Sequence, residues 1–253
     1  MADFIKEMIE NTWSYGSKKL GTKIQDRKWG FTVYRTYYGE ESDGAWQTLL
    51  YSLRHQTKLS FGAFEKGAAI EYDVDPDDLQ RLKDFFYLEA REDRSQLEGL
   101  DVRGLREFCK AERSREKIII EKPHRRLFET TRPRETQGMA DWVFDYVLLA
   151  DEAVLKDIAR DEPIVKAVSI LWETGADIEW GWMRIPTGYL VELWHHLLFN
   201  ESRTDCALSF YGDEEELDNL IWAGDMGAEM TFLSSEIRDI PHPYDNQSFR
   251  CLS

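Results

Sequence analysis

The segment 29–46, W-G-F-T-V-Y-R-T-Y-Y-G-E-E-S-D-G-A-W, constrains the fold most, because it predicts a strand that turns sharply into a helix. Its first half alternates and is rich in β-forming residues, which is typical of a strand. The strand breaks at Gly39, and an acidic turn leads into a helix whose first apolar residue is Trp46. An arginine and two tyrosines at a strand end are therefore predicted to lie near acids at a helix start. Proteins of the α/β type tend to build sites at such strand ends.

The composition predicts one packed domain with a negative overall charge. The chain has 253 residues, of which 42% are hydrophobic and 13% aromatic, and it includes 9 Trp. That length can bury a sizeable core, so one domain that mixes α and β is expected. The formal net charge of −16, from 48 acidic and 32 basic residues, opposes binding to a nucleic-acid duplex. The segment 113–134 is the richest basic stretch and a local exception to that charge.

Cysteine usage and hydropathy predict a cytoplasmic protein with no membrane partner. The cysteines Cys109, Cys206 and Cys251 are odd in number and lack metal-ligand spacing, which favours a reducing compartment and no metal. The N-terminal segment is broken by charges throughout, and no apolar run approaches the ~20 residues of a membrane span. The chain has no G-x-G-x-x-G, Walker or G-x-S-x-G motif, so no cofactor is expected.

Apolar periodicity predicts an N-terminal helical arm at 1–28, one domain at 29–240 and a loose C-terminal tail at 241–253. Strands are predicted at 29–38, 142–149, 164–172 and 178–184, and an ambiguous segment at 59–72 is a further short strand candidate. Helices are predicted at 43–55, 76–87, 101–115, 151–160, 188–199 and 217–222, with a long loop at 124–137. This order predicts an α+β (or α/β) single domain, a mixed sheet flanked by helices with a helical insertion.

The end of the first strand offers a candidate binding site. Arg35 can hold a carboxylate or a phosphate with its planar guanidinium group, and Tyr37 can donate a proton or line a pocket. Tyr38 and Asp43 follow in the same turn and are predicted to contribute to the site. In the alternative interpretation, Arg35 pairs with a neighbouring acid and the tyrosines cap the core.

Two acids follow the most apolar predicted strand. Asp151 and Glu152 can act as a general base or as partners for an ammonium or guanidinium group. Their position also has a purely structural explanation, because Asp151 is placed to cap the next helix and Glu152 is a first-turn acid. Both interpretations stay open on the sequence.

Further acids and one tryptophan lie towards the C-terminus. Glu214, Glu215 and Asp218 can share one helix face and hold a cation, although such charge runs are usually solvated. The segment Trp182-Met183-Arg184 can wall a pocket, with the alternative that Trp182 belongs to the core. No metal site is expected from the two histidines at 195–196, because adjacent helical side chains point apart.

Four segments together resemble a family of small filamentous-fungal proteins, most of them uncharacterised. They are the segment 29–46 quoted above, V-R-G-L-R-E-F at 102–108, A-D-E-A-V-L at 150–155 and G-W-M-R-I at 181–185. The resemblance covers roughly 29–199. Arginine-containing cyclodipeptide synthases of fungal biosynthetic clusters belong to this family or near it.

The resemblance implies an aminoacyl-tRNA-dependent enzyme of fungal secondary metabolism. Such an enzyme takes arginine from its aminoacyl-tRNA, joins it to a second amino acid and closes a diketopiperazine. The family carries an acidic D-D-x-x-E motif, of which this chain has no intact copy. The segment 77–81 ends in Arg81, 151–155 ends in Leu155, and 214–218 has the spacing with the acids exchanged.

The resemblance also implies roles for the candidate residues. Catalytic roles are expected for Asp151, Glu152 and Tyr37. Substrate-binding roles are expected for Arg35, Tyr38, Asp43, Glu214, Glu215, Asp218 and Trp182. Contacts with the tRNA backbone are expected from Arg125, Arg126 and Arg132. The alternative is a non-enzymatic intracellular interaction or regulatory protein, whose Trp-rich surface and mobile basic loop bind a protein partner.

Overall fold

Seven strands form one sheet and one hairpin in the computed structural model, which describes residues 27–71, 76–122, 125–172, 180–199 and 213–222. They are β1 (Trp29–Arg35), β2 (Phe86–Arg91), β3 (Lys117–Lys122), β4 (Arg125–Thr130), β5 (Tyr146–Ala150), β6 (Ile164–Ser169) and β7 (Trp182–Pro186). The sheet has the order β2-β1-β5-β6-β7, and β3 pairs with β4 as a separate antiparallel hairpin. In the sheet, β2, β1 and β5 are parallel, whereas β6 and β7 each run antiparallel to the preceding strand.

Helices cover both faces of this sheet. They are α1 (Ser42–Glu71), α2 (Pro76–Phe85), α3 (Arg94–Leu97), α4 (Val102–Glu116), α5 (Ala140–Val143), α6 (Glu152–Ala159) and α7 (Leu190–Phe199), with 3-10 turns at Arg134–Thr136, Thr187–Tyr189 and Glu214–Asn219. A mixed sheet between helices confirms the predicted single-domain α+β class, and α2, α3 and α4 belong to the predicted helical insertion.

Aromatic rings on β1 join the two helical layers to the sheet. Trp29 packs against Phe61 of α1 and Trp194 of α7, with ring centroids 5.8 and 5.1 Å away. Tyr34 lies on the opposite face of the strand and contacts Phe108 of α4 at 6.1 Å. Because alternate residues of a strand point to opposite faces, this one strand anchors both layers. Every residue of β1, β5, β6 and β7 is buried, so these strands form the core of the domain.

Several predicted boundaries were wrong. The helix expected at 43–55 extends through the ambiguous segment to Glu71, because its apolar stripe continues to Phe61 against Trp29. The end of the helix expected at 76–87 is instead strand β2, which gains backbone partners from β1. The long loop expected at 124–137 contains β4, since residues 125–130 pair with β3. The strand expected at 142–149 begins only at Tyr146, after the short helix α5.

Several predictions lie wholly or partly outside the described residues. Residues 1–26 of the expected helical arm, the segment 223–240 and the expected tail at 241–253 are among them. Among the described helices, none has the length and apolar content that crossing a bilayer requires.

Candidate functional site

A cavity of about 600 Å³ opens where β1 and β5 end. These two strands are parallel neighbours, and the register continues one residue further because the Thr36 amide donates to the Ala150 carbonyl over 3.0 Å. The chain therefore leaves both strands side by side, and Tyr37 and Asp151 reach the same cavity. The carboxyl edge of parallel strands is where open sheets usually bind ligands.

A buried lysine lies at the centre of the charged groups in this cavity. Lys166 of β6 has a side chain that is only 7% exposed. Its Nζ lies 2.8 Å from Oδ2 of Asp151 and 3.0 Å from Oδ1 of Asp218. The ring of Trp182 on β7 lies 4.7 Å from the same nitrogen. Two carboxylates and one aromatic ring thus replace much of the water around this ammonium group.

Asp151 combines the two roles that the sequence left as alternatives. Its Oδ1 accepts from the amide of Val154 over 3.0 Å and caps α6, while its Oδ2 binds Lys166. Glu152 also lines the cavity, but its half-exposed carboxylate pairs with Lys156 at 2.8 Å, one turn along α6. The hydrogen bond that Lys156 donates to the Glu152 carboxylate raises the pKa of Lys156. Asp151 is therefore held in place by two partners, whereas the exposed Glu152 can exchange Lys156 for another cation.

A second charged cluster forms one wall of the cavity. Asp157 of α6 is 1% exposed and accepts from both Arg184 of β7 and Arg160. Arg184 is fully buried, and its Nη1 donates to the backbone carbonyl of Asp218 over 2.5 Å. This arginine therefore ties α6 and the 213–222 segment to the sheet, and so determines where Asp218 meets Lys166.

Sequence reasoning missed Lys166 and Asp157, and it named Arg184 only as part of a pocket wall at 182–184, not as a buried ion-pair partner. A signal was present for each of them, because each charge lies in an element whose neighbours are apolar. Lys166 interrupts the strand I-V-K-A-V-S, and Asp157 lies among the apolar residues of α6. Charged side chains are rarely buried unless they are paired, so such positions predict a buried ion pair.

Arg35 lies outside the cavity that Tyr37 lines. Its Nη2 donates to Ser42 Oγ over 2.8 Å and to Asp43 Oδ1 over 2.5 Å, and its Nε donates to the Tyr37 carbonyl over 3.0 Å. The guanidinium carbon lies 4.6 Å from the ring centre of Tyr38, whose pKa is raised by burial. Arg35, Tyr38 and Asp43 therefore hold the turn between β1 and α1 in shape, as in the alternative interpretation of these residues.

The C-terminal acids separate into different environments. Glu214 accepts from Trp182 Nε1 and from Arg103, each over 3.1 Å. Glu215 is exposed, and it is Asp218 that lines the cavity. The helix predicted at 217–222 is instead a 3-10 turn over Glu214–Asn219, which begins with a capping box between residues 213 and 216.

The basic residues expected to contact tRNA have different surroundings. Arg132 donates two hydrogen bonds to Asp141, of 2.6 and 3.0 Å, and its side chain is 7% exposed. Burial lowers the pKa of Arg132, but attraction to Asp141 outweighs it and leaves the pKa raised. Arg125 and Arg126 lie on β4, and the structure does not describe their side chains. Arg132 therefore belongs to an internal ion pair.

The fold and the site together define a class: an α+β domain with an open mixed sheet and a charged cavity at the carboxyl edge of its parallel strands. Comparison with protein-family models, curated proteins and solved structures finds no match for the chain.

Proposed function

We propose that the protein is an aminoacyl-tRNA-dependent synthase that makes an arginine-containing cyclic dipeptide in fungal secondary metabolism. The observation that carries this proposal is the acid-rich cavity built around Lys166. Five acidic residues line it, namely Asp101, Asp151, Glu152, Asp157 and Asp218, against three basic ones, Lys156, Arg160 and Lys166. An excess of carboxylates attracts a cationic substrate such as an arginyl group.

The cavity contains the groups that peptide bond formation from an activated ester requires. The incoming amine has to lose a proton, and Asp151 is a positioned carboxylate that can accept it. The carbonyl oxygen of the ester gains negative charge in the transition state, and the Lys166 ammonium has a third N–H that can stabilise it. Tyr37 can donate its hydroxyl proton to the departing tRNA oxygen. These groups line one cavity, so two substrates bound there would gain the benefit of proximity.

The guanidinium group of the arginyl substrate has a candidate partner at the cavity wall. Glu152 is 55% exposed, and its one ion-pair partner among the described residues is Lys156, which is itself 60% exposed. Exposed ion pairs contribute little energy, so a planar guanidinium group that binds the carboxylate bidentately can displace the lysine. Glu152 then selects arginine, while Asp151 and Lys166 carry the chemistry.

The experiment is metabolite profiling of a heterologous host that expresses the chain, followed by synthesis in vitro from arginyl-tRNA. The expected result is an arginine-derived diketopiperazine that is absent from the empty-vector host. Asp218→Asn should lower its yield at least tenfold, and Glu215→Gln is the matched control on the same 3-10 turn. If the folded wild-type protein makes no arginine-derived product when charged tRNA is present, the synthase proposal is wrong and the interaction protein remains.

A further inference from the structure

The exposed side of α1 between residues 44 and 61 has a charge opposite to that of the whole molecule. Residues 44–61 contain no acidic residue, although the chain has 48 acidic and 32 basic residues. Arg54, His55 and Lys58 are exposed on this stretch. Within the described part of the chain, neither Arg54 nor Lys58 is paired with a carboxylate. This stretch is therefore a local source of positive potential.

The same face also carries an exposed aromatic pair. Tyr51 is 65% exposed, and its ring stacks on that of His55, with centroids 5.3 Å apart and planes inclined by 12°. Together with Gln47, Arg54 and Lys58 they line a groove of about 360 Å³. These five residues recur at helical spacing, so they share one side of α1. We call them the α1 basic face.

We propose that the α1 basic face binds single-stranded RNA. Bases stack on exposed aromatic rings without regard to sequence, and cations beside the rings bind the phosphates. Tyr51 and Lys58 are two turns apart, about 10 Å along the helix axis, so one strand can contact both. The combination of rings with cations favours RNA over an acidic protein partner. The carboxylates of such a partner would pair with the cations but would not stack on the two rings.

The RNA is the acceptor end of a tRNA, and this identification rests on the proposed function. The α1 helix starts at Ser42, where Arg35 ties its first turn to the strand end that leads to Tyr37. Along its length α1 packs against α6, whose residues line the cavity. A strand that lies along the α1 basic face can therefore bring its end towards the cavity.

The test is fluorescence anisotropy with labelled deacylated tRNA, and with the same tRNA after removal of its 3′ single-stranded end. Arg54→Glu with Lys58→Glu should weaken binding of the intact tRNA at least tenfold and reduce the salt slope by about two. Tyr51→Ala should weaken binding of the intact tRNA but change binding of the truncated one less than twofold, because its base partner is gone.

The matched control reverses two other cations, the exposed Arg94 and the partly exposed Lys110, as Arg94→Glu with Lys110→Glu, for the same change in net charge. Both residues are bound to carboxylates of their own helices or caps. This control should bind within twofold of wild type, and thermal unfolding should verify that both double variants are folded. Equal losses in the two double variants, no loss in either, or no tRNA binding by the wild type would each overturn the proposal.

The outcomes also separate this surface from the proposed reaction. A wild-type protein that binds tRNA through the α1 basic face but makes no cyclic dipeptide contradicts the reaction alone. A protein that makes the dipeptide, while Arg54→Glu with Lys58→Glu leaves tRNA affinity unchanged, contradicts the surface alone. A preference for an acidic protein over RNA at the same residues also contradicts the proposal that the α1 basic face binds RNA.

Discussion

Lys166 carries its charge in a place that is almost closed to water, so its neighbours have to supply the opposite charge. Asp151 and Asp218 do so from two different parts of the chain. Removing one partner of a buried pair leaves the other charge without compensation, which costs more than the pair itself contributes. The chemistry proposed for this site therefore cannot be separated fully from its stability.

Asp151→Asn should retain the cap on α6, because asparagine caps about as well as aspartate. It should still lower the free energy of unfolding by about 1–3 kcal/mol, since the amide no longer neutralises Lys166. Product formation should fall below a hundredth of the wild-type rate. Urea unfolding and a product assay measure the two effects, and near-full activity in this variant would leave Asp151 as a cap only.

Gly39→Ala tests whether the position of Tyr37 matters. A Cβ at residue 39 would lie 2.0 Å from the Tyr37 hydroxyl, so the ring has to move away. Because the displaced atom is the end of a rotatable side chain, stability should change by less than about 1 kcal/mol while activity falls about tenfold or more. Tyr37→Phe is the control that removes the hydroxyl and leaves the ring. An unchanged rate in Gly39→Ala would exclude a role for the placement of Tyr37.

At the scale of elements, β1 is the strand on which the sheet depends, because it pairs with β2 on one side and β5 on the other. Gly30 allows this. It adopts a φ of 133°, and a Cβ there would lie 2.1 Å from the carbonyl oxygen of Tyr87 on β2. Contact with backbone cannot be relieved by rotating a side chain.

Gly30→Ala should therefore lower the free energy of unfolding by about 2 kcal/mol or more, through strain and a displaced β2. Gly44→Ala is the matched control, since a Cβ there meets no atom within 4 Å from the described residues beyond its own helical turn. Its replacement within α1 should instead stabilise the protein by about 0.5–1 kcal/mol. Chemical unfolding of both variants measures the difference, and equal stabilities would contradict the close packing of β1 on β2.

Local sequence patterns predicted those elements whose secondary structure depends mainly on neighbouring residues in the chain. The alternation in 29–35 predicted β1, and the acids after the apolar run predicted the start of α6 at its cap Asp151. The strand β2 could not be predicted, because F-Y-L-E-A-R continues the apolar spacing of α2 and becomes a strand only through its pairing with β1. For the same reason the site was predicted only in part. Asp151 and Tyr37 follow strands, whereas the meeting of Asp218 with Lys166 is a long-range contact without a local signal.

At the scale of the whole molecule, a buried polar cluster between β1 and α4 makes the free energy of unfolding depend on pH in the alkaline range. Burial raises the pKa of Cys109 to about 12, and it raises the pKa of the neighbouring Tyr34 as well. In the unfolded chain the thiol titrates near its ordinary pKa of about 9. Between these two values the folded protein binds more protons than the unfolded chain, so stability falls as pH rises.

The free energy of unfolding should therefore fall above about pH 9, by up to about 1.4 kcal/mol per pH unit for the Cys109 thiol. In Cys109→Ala the free energy of unfolding should decrease less between pH 8 and pH 11, because the thiol is gone. Some decrease should remain, because Tyr34 and other groups still titrate. Urea unfolding across this range measures both proteins. The same pH dependence in the two would show that the thiol is not protected in the folded state.

The segment 213–222 has a consequence for the order in which the protein is made. A ribosome completes β7 and the whole sheet before it synthesises Asp218 and Trp222. Trp222 is then fully buried, with its amide bonded to the Arg184 carbonyl over 2.8 Å, and Asp218 reaches Lys166 from the same segment. A chain that has emerged from the ribosome only as far as β7 therefore has every strand of the sheet, but Lys166 has only one of its two carboxylate partners, Asp151. The cavity is completed last, because Asp218 can line it only after this segment has left the ribosome and docked.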